Sequence, residues 1–406
     1  MPGMRVAIAG AGPAGASLAW LLARRGIGVT LIERQTDFAR EFRGEGLMPG
    51  GVDALRQMGL EAVLDRLPQS RIHRLEVYLN GRRELELDVA RLPRETPLPR
   101  FVSQPALLEM LVAQAARLAD FELLRGATVR DLVYAGDRVA GLRIEDAKGA
   151  REIRCDYLIG CDGRASAVRK RAGLDRPRRA PSFDVVWCKL PLPEFMRGVV
   201  RGCIGRAHFA ICFESPDGGL QLGWAIDKGG FGDIRRGGIE HWVGELASSV
   251  PDDLAAWIRA HMDALSSPFL LDVVCDHLDV WNAPGVLLIG DSAHPMSPVG
   301  AQGINIALRD ALVAANQLGP LLLRGSPPAE LDAAAARVAA ERLPEVQEIQ
   351  RLQAGPPRLL LQQTPLARVA MRTLVPLAMR TGIFALAFRR ILPRFAFGTT
   401  EVELRF

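Results

Sequence analysis

Residues 6–33 constrain this chain more than any other stretch. Val6, Ala7, Ile8 and Ala9 read as a short buried strand that runs directly into Gly10-Ala11-Gly12-Pro13-Ala14-Gly15, and residues 16–25 follow as an alanine- and leucine-rich helical run. Strand, glycine turn and helix in this order make a phosphate cradle. Gly10 allows the tight turn, Gly12 lets the backbone approach a pyrophosphate, Gly15 lets helix and strand pack closely, and the helix N-terminus offers unpaired N–H groups. A second strand, residues 28–32, ends in Glu33 with Arg34 beside it, roughly 20 residues after the turn, where an acid binds a ribose 2′-hydroxyl. The unit reads as a dinucleotide site for an adenosine whose 2′-hydroxyl is free, and it leaves a flavin or a nicotinamide dinucleotide open.

Hydrophobic residues make up 49% of the chain and charged ones 24%, which marks a globular protein with a sizeable core rather than a disordered one. The six cysteines form no CxxC pair and no metal-ligand spacing, so reduced thiols, a cytoplasmic location and no bound metal are expected. No run of 18 apolar residues announces a membrane-spanning helix. The net charge of +5 is local: residues 351–400 hold eight arginines and no acid. Leu, Ala and Met fill that stretch at helical spacing, whereas a nucleic-acid surface would want stacking aromatics, so no nucleic-acid partner is expected. Two readings remain for residues 356–395: helices with a basic face lying on an anionic membrane as a peripheral contact, or C-terminal helices packed on the nucleotide domain with a basic outer face, which the general behaviour of amphipathic helices favours.

The remaining chain supplies two further motifs. A polar loop, residues 40–47, carries Arg43 between small residues. Residues 74–90 alternate in strand fashion around an Asn80-Gly81 hairpin turn, and Ser103 caps a helix over residues 106–118 with Gln104 at its entry. Residues 122–124, 128–134 and 139–144 read as a β-meander. The strand 155–160 delivers Cys161-Asp162-Gly163, followed by Arg169, at the sheet edge where ligands of α/β proteins collect. Residues 183–190, 208–214 and 220–226 read as a separate antiparallel sheet with helices near 240–247 and 252–265. The strand 285–289 then empties into Gly290-Asp291, His294, Pro298, Gly300, Ala301, Gln302, Gly303, Ile304 and Asn305 before a helix over 306–318. Backbone N–H groups at that helix start suit developing negative charge.

In this order, the glycine turn, Asp162-Gly163 and Gly290-Asp291 with the residues up to Asn305 and Asp310 resemble the class A FAD monooxygenases, the p-hydroxybenzoate hydroxylase-like enzymes that include ubiquinone-biosynthesis hydroxylases. The likeness covers residues 4–320. It implies an α/β fold: a Rossmann-like FAD domain with an inserted, mostly antiparallel substrate sheet and C-terminal helices. The expected division is 1–74, 98–175 and 275–330 for FAD, 75–97 and 176–274 for substrate, and 331–406 for the helices. By the same resemblance Gly10, Gly12, Pro13, Ala14, Gly15, Glu33 and Arg34 hold the adenosine and pyrophosphate of FAD. Arg43 and Gln104 touch the same cofactor, and Asp162, Gly163 and Arg169 form the element associated with FAD and NAD(P)H. Gly290 and Asp291 meet the ribityl chain, and Pro298, Gly300, Ala301, Gln302, Gly303, Ile304 and Asn305 flank the isoalloxazine, with Pro298, Gly300 and Gly303 as the catalytic backbone wall.

Ala301, where many members have glycine, reads as a conservative departure. The implied chemistry is reduction of bound FAD by transient NADH or NADPH, addition of O₂ as a flavin C4a-hydroperoxide, and hydroxylation or epoxidation of an apolar aromatic or quinone-like small molecule by a monomer or homodimer. The competing readings are an FAD-dependent saturase of a prenyl-like substrate and a flavin-dependent halogenase, whose Trp-x-Trp-x-Ile-Pro motif the stretch Trp224-Ala225-Ile226-Asp227 does not supply.

Overall fold

The computed structural model describes residues 3–39, 45–89, 97–176, 183–205, 208–360, 366, 369, 373–374 and 383–406. Its centre is a six-stranded sheet in the order Asn282–Ala283, Val286–Leu288, Tyr157–Gly160, Arg5–Ala9, Gly28–Glu33, Phe121–Arg125. All neighbours run parallel except the two-residue edge strand Asn282–Ala283. Apart from the exposed Arg5, the strands Arg5–Ala9, Tyr157–Gly160 and Val286–Leu288 are apolar without alternation and buried, as strands covered on both faces must be. The helices Pro13–Ala23 and Gln302–Arg324 share that core.

The hairpin at residues 74–88 joins a seven-stranded sheet ordered Phe269–Leu271, Phe183–Pro191, Gly219–Asp227, His208–Glu214, Val199–Gly205, Arg74–Leu79, Arg82–Asp88. Alternation along Phe183–Pro191 splits its two faces. Val186, Cys188 and Leu190 join a cluster under the helices Phe231–Ala247 and Asp252–Ala260, while Phe183, Val185 and Trp187 face a second cluster that takes in Phe101 and Val299 of the nucleotide side. The hairpin turn is as expected, with Asn80 and Gly81 both at positive φ, 49° and 80°.

Three sequence expectations change. Residues Phe121–Arg125 are not part of the meander. They extend the parallel sheet beside Gly28–Glu33, and the meander is Thr128–Ala135, Arg138–Asp146 and Gly149–Arg154. The strand Val199–Gly205 was not expected, because Gly202 and Arg201 break its apolar pattern; Arg201 is buried there by Glu76 at 2.9 Å and Asp253 at 3.0 Å. The helix expected over 306–318 runs from Gln302 to Arg324. This last helix, with the turn before it, is long and apolar enough to cross a membrane, but 72% of the qualifying window is buried inside the protein, as in a core helix.

The helix Pro328–Leu360 lies against the core helix Gln302–Arg324 through a dry ionic cluster. Arg342 Nε donates to Asp310 Oδ1 at 2.9 Å and pairs with Glu345 through its Nη1. Arg309 Nη2 donates to Glu345 Oε1 at 2.9 Å and to the Thr400 carbonyl at 2.5 Å. The side chains of Asp310, Arg342 and Glu345 are all fully buried. Burial alone would push the Asp310 carboxyl up, but His294 and Arg342 beside it hold it below the usual carboxylate range. Removing one partner of such a set leaves charge without compensation, which costs about 3–5 kcal/mol. Arg342→Met is therefore expected to lose roughly that much stability in urea unfolding, and adding Asp310→Asn to it to cost less than the sum of the two single changes.

Candidate cofactor and active site

The three motifs meet because they leave the C-terminal ends of three adjacent parallel strands, Arg5–Ala9, Tyr157–Gly160 and Val286–Leu288. At the first, a Cβ on Gly10 would stand 2.3 Å from the Cys161 carbonyl oxygen and one on Gly15 would stand 2.0 Å from the Gly10 carbonyl, whereas Gly12 faces open space. The cradle thus packs tightly on its protein side and is free on the other. Gly12 caps the helix Pro13–Ala23 with no side-chain acceptor and no acid in the first turn, so the N–H groups after Pro13 remain for a ligand anion. Glu33, 5% exposed, accepts from the Ala11 N–H and the Gln35 N–H, both at 3.0 Å, which fixes its carboxylate beside the turn. Arg34, next in the chain, is exposed, and Gln104 is half-buried at the start of its helix. Arg43 lies outside the described residues.

The two aspartates of the other motifs differ in what they are free to do. Asp162 is committed to the protein: its carboxylate accepts from Ser166 Oγ at 2.5 Å, from the Ala167 and Val168 N–H groups at 2.6 and 3.0 Å, and from Ser292 Oγ at 3.2 Å. Arg169, 3% exposed, donates to the carbonyls of Ser292 and Arg164, each at 2.8 Å, and to Asp175 at 2.7 Å. Both residues therefore brace the turn against the Gly290-Asp291 element, and Ser292, which sequence reasoning passed over, is the shared partner. Asp291 instead keeps a 37% exposed side chain with Arg164 Nε at 3.4 Å, so it has capacity left for a hydroxyl donor. His294 is buried, with Nε2 2.6 Å from Asp310 Oδ2 and its ring against Trp281, and it serves the ionic cluster behind the loop.

The loop itself is held from three directions. Gln353 Nε2 donates to the Ser297 and Val299 carbonyls at 2.9 and 2.7 Å. Gln302 Nε2 bridges the Gly300 and Phe395 carbonyls at 2.7 and 2.8 Å. Asn305 Nδ2 donates to Gly46 and Ala301, at 3.0 and 2.6 Å, while its Oδ1 accepts from the Met48 N–H at 2.9 Å. Gln302, Ile304 and Asn305 are buried, whereas Pro298, Gly300, Ala301 and Gly303 are partly open, and nothing stands within 4 Å of a Cβ built on Gly303. Gly300 and Ala301 both have positive φ, 73° and 54°. Ala301 is thus more than a conservative departure, because its methyl group is carried in the left-handed region that glycine enters freely.

Above the loop is an aromatic wall. Phe101 stacks on Phe213 at 3.8 Å and 6°, and Trp187 meets the same ring edge-on at 6.1 Å. Glu45 sits at the foot of this wall. It lies in the 40–47 loop, where the sequence pattern does not mark it and only its burial makes it unusual. Its Oε2 is buried without a hydrogen-bond partner, and desolvation, against a lowering by Lys189 and with a small push from Asp217, raises its carboxyl to about 7.

Two measurements follow from this geometry. Ala301→Gly relieves the left-handed alanine and should raise stability by about 0.5–1 kcal/mol in denaturant titration, with flavin content unchanged. The Glu45 carboxyl lies above its ordinary 4.5 in the folded chain, so the unfolded chain ionises first and stability falls as pH rises from 4.5 to about 7. Glu45→Gln should then melt at a higher temperature than the parent above pH 7, by on the order of 3 kcal/mol of stability, and match it below pH 4, near and under the unfolded value.

The chain matches the family model described as "FAD binding domain" over residues 3–221 and 271–351. It is 33% identical over 405 residues to a 6-methylpretetramide 4-monooxygenase of Streptomyces rimosus, covering 98% of this chain and 94% of that protein. Among solved structures, p-nitrophenol 4-monooxygenase PnpA from Pseudomonas putida superposes with a TM-score of 0.80 over 98% of both chains at 19% identity. PqsL of Pseudomonas aeruginosa, solved with 2-aminobenzoylacetate, does so at 0.77 over 90% of this chain and 99% of that one at 23% identity. Those two establish the fold, an α/β p-hydroxybenzoate hydroxylase-like one. An open glycine cradle at an uncapped helix end, a buried carboxylate beside it and a second uncapped helix N-terminus fit FAD, and the chain belongs to the FAD-binding family of class A flavoprotein monooxygenases.

Proposed function

We propose that this FAD monooxygenase hydroxylates a polycyclic, largely apolar aromatic polyketide, drawing electrons from NADH or NADPH. The observation that carries the reading is the wall of Trp187, Phe213 and Phe101 turned toward Val299 of the cofactor loop. These rings are at most 6% exposed, so a ring system that enters between sheet and loop would stack on them, at about 0.5–1.5 kcal/mol per pair beyond area burial. The S. rimosus relative, named for action on 6-methylpretetramide, supports the same class.

In this reading Gly10, Gly12, Pro13, Ala14, Gly15 and Glu33 hold the adenosine and pyrophosphate, with Arg34, Arg43 and Gln104 beside them, and Asp291 accepts from a ribityl hydroxyl. Asp162, Gly163 and Arg169 act by fixing the Gly290-Asp291 turn. FAD, once reduced by NAD(P)H, supplies oxygen activated from O₂. The chain's share is to orient the ring, exclude water and present the Pro298, Gly300 and Gly303 backbone to developing negative charge. Of the basic stretch 351–400, the described Arg351, Arg390 and Arg394 are exposed, and the Phe395 carbonyl accepts from Gln302 Nε2 at the loop, which supports C-terminal helices packed beside the cofactor loop with a basic outer face.

The test is incubation of the FAD-loaded chain with NADH or NADPH, ¹⁸O₂ and a panel of hydroxylated anthraquinones, anthrones and 6-methylpretetramide, read by mass spectrometry. One ¹⁸O per product molecule for each NAD(P)H and O₂ consumed is expected. Products heavier by two hydrogens without O₂ uptake would make the chain a saturase instead. Trp187→Leu should weaken binding of the accepted ring about tenfold, corresponding to about 1.4 kcal/mol, with the flavin spectrum unchanged.

A further inference from the structure

Two buried acceptor oxygens lie on the substrate side of the molecule without donors: Oε2 of Glu45 and Oε1 of Gln221. Buried polar atoms are nearly always hydrogen-bonded, so two exceptions on one wall call for a common cause. Gln221 is 1% exposed and sits directly across from Phe213 on one neighbouring strand and from Lys189 on the other. Pairing partners share a face, so Gln221 belongs to the wall of Trp187 and Phe213.

Glu45 reaches the same wall from the cofactor side. The next residue, Gly46, is the register partner of Phe101, whose ring stacks on Phe213. The Glu45 carbonyl accepts from the Val102 N–H at 2.8 Å, and a Cβ on Gly46 would meet the Ala301 Cβ at 2.8 Å. Glu45 is therefore pinned between the cofactor loop and the aromatic wall.

The charged groups that Glu45 senses are Lys189 and Asp217, which pair with each other at 2.5 Å. Arg100, on the strand beside it, pairs with Asp65 at 2.6 Å through Nη1, and its buried Nε has no partner. No described cation is thus committed to the carboxylate.

We propose that Glu45 and Gln221 form the polar end of the substrate site, reading a ring hydroxyl as a hydrogen-bond donor, with Glu45 taking its proton. This rests on the aromatic hydroxylation reading and names the substrate feature that reading leaves open: a phenolic or enolic O–H. In the step the ring O–H bond breaks, the carboxyl O–H bond forms and the electron pair stays on the ring oxygen. Nothing is oxidised or reduced. The resulting oxyanion enriches the ring carbons ortho and para to it, the positions at which an electrophilic oxygen is accepted. A carboxyl raised by burial to about 7 suits a base working near neutral pH.

The experiment uses the FAD-loaded full chain and two probes, 2-hydroxyanthraquinone, whose visible band moves when its hydroxyl ionises, and 2-methylanthraquinone, which has no hydroxyl. The parent protein should bind the hydroxyl probe at least tenfold more tightly than the methyl probe and, near neutral pH, with the band of the oxyanion. Glu45→Gln should keep the flavin spectrum and flavin bleaching by NAD(P)H, bind the hydroxyl probe in its neutral form, and lose about 100-fold in the rate of product formation. Gln221→Leu should narrow the preference between the probes without changing the band.

Equal affinity of the parent protein for the two probes, or the same oxyanion band in Glu45→Gln, overturns the proposal. The parent comparison requires no variant to fold. Because binding is read without turnover, a chain that prefers the hydroxyl probe but incorporates no oxygen sinks the hydroxylation reading alone. One that incorporates oxygen without that preference sinks this inference alone.

Discussion

The placement of the cofactor loop depends on a cluster of charges that never meets water. Asp310 lies on the helix that begins at the loop. It ties His294 from the strand end to Arg342 of the long following helix, and Glu345 and Arg309 carry the network on to the Thr400 carbonyl. Ions this deep contribute little net stability compared with well-packed apolar groups, but they are satisfied in few geometries. Their value here is positional: they hold the helix Gln302–Arg324 and the chain's final segment in one relation to the loop between them.

With that frame in place, the polar side chains around the loop divide into braces and contacts. Gln302, Asn305, Gln353, Asp162 and Arg169 spend their hydrogen bonds on protein, so what they present to a ligand is rigid backbone. Asp291, the Gly12 turn and the Gly303 helix start keep open capacity. A site built this way presents dipoles already oriented before the ring arrives, which is where electrostatic stabilisation is worth most. The aromatic wall supplies shape, and the only described acceptors left dry upon it are Glu45 and Gln221.

Much of the nucleotide half was legible in the residues. In the substrate sheet, alternation over residues 74–90 and the need for positive φ at Asn80-Gly81 marked the hairpin. The strand at 199–205 was hidden because a buried arginine interrupts its apolar pattern, and an arginine is buried only where partners such as Glu76 and Asp253 arrive from elsewhere in the chain. The strand at 121–125 was visible, yet its neighbour was not, since pairing with Gly28–Glu33 in place of the adjacent meander is a choice between registers of similar local quality.

The sequence by itself determined the strand–glycine–helix unit, the order of the three motifs and hence the cofactor class, because those rest on local backbone demands that only particular residues meet. Tertiary structure decided which aspartate is a brace and which faces outward, why Ala301 is strained, and that Glu45 is dry. Each of these depends on groups far away in the chain: Asn305 reaches residues 46 and 48, and Gln302 reaches Phe395. Desolvation and hydrogen-bond capacity belong to a residue's surroundings, and those surroundings exist only once distant segments have packed.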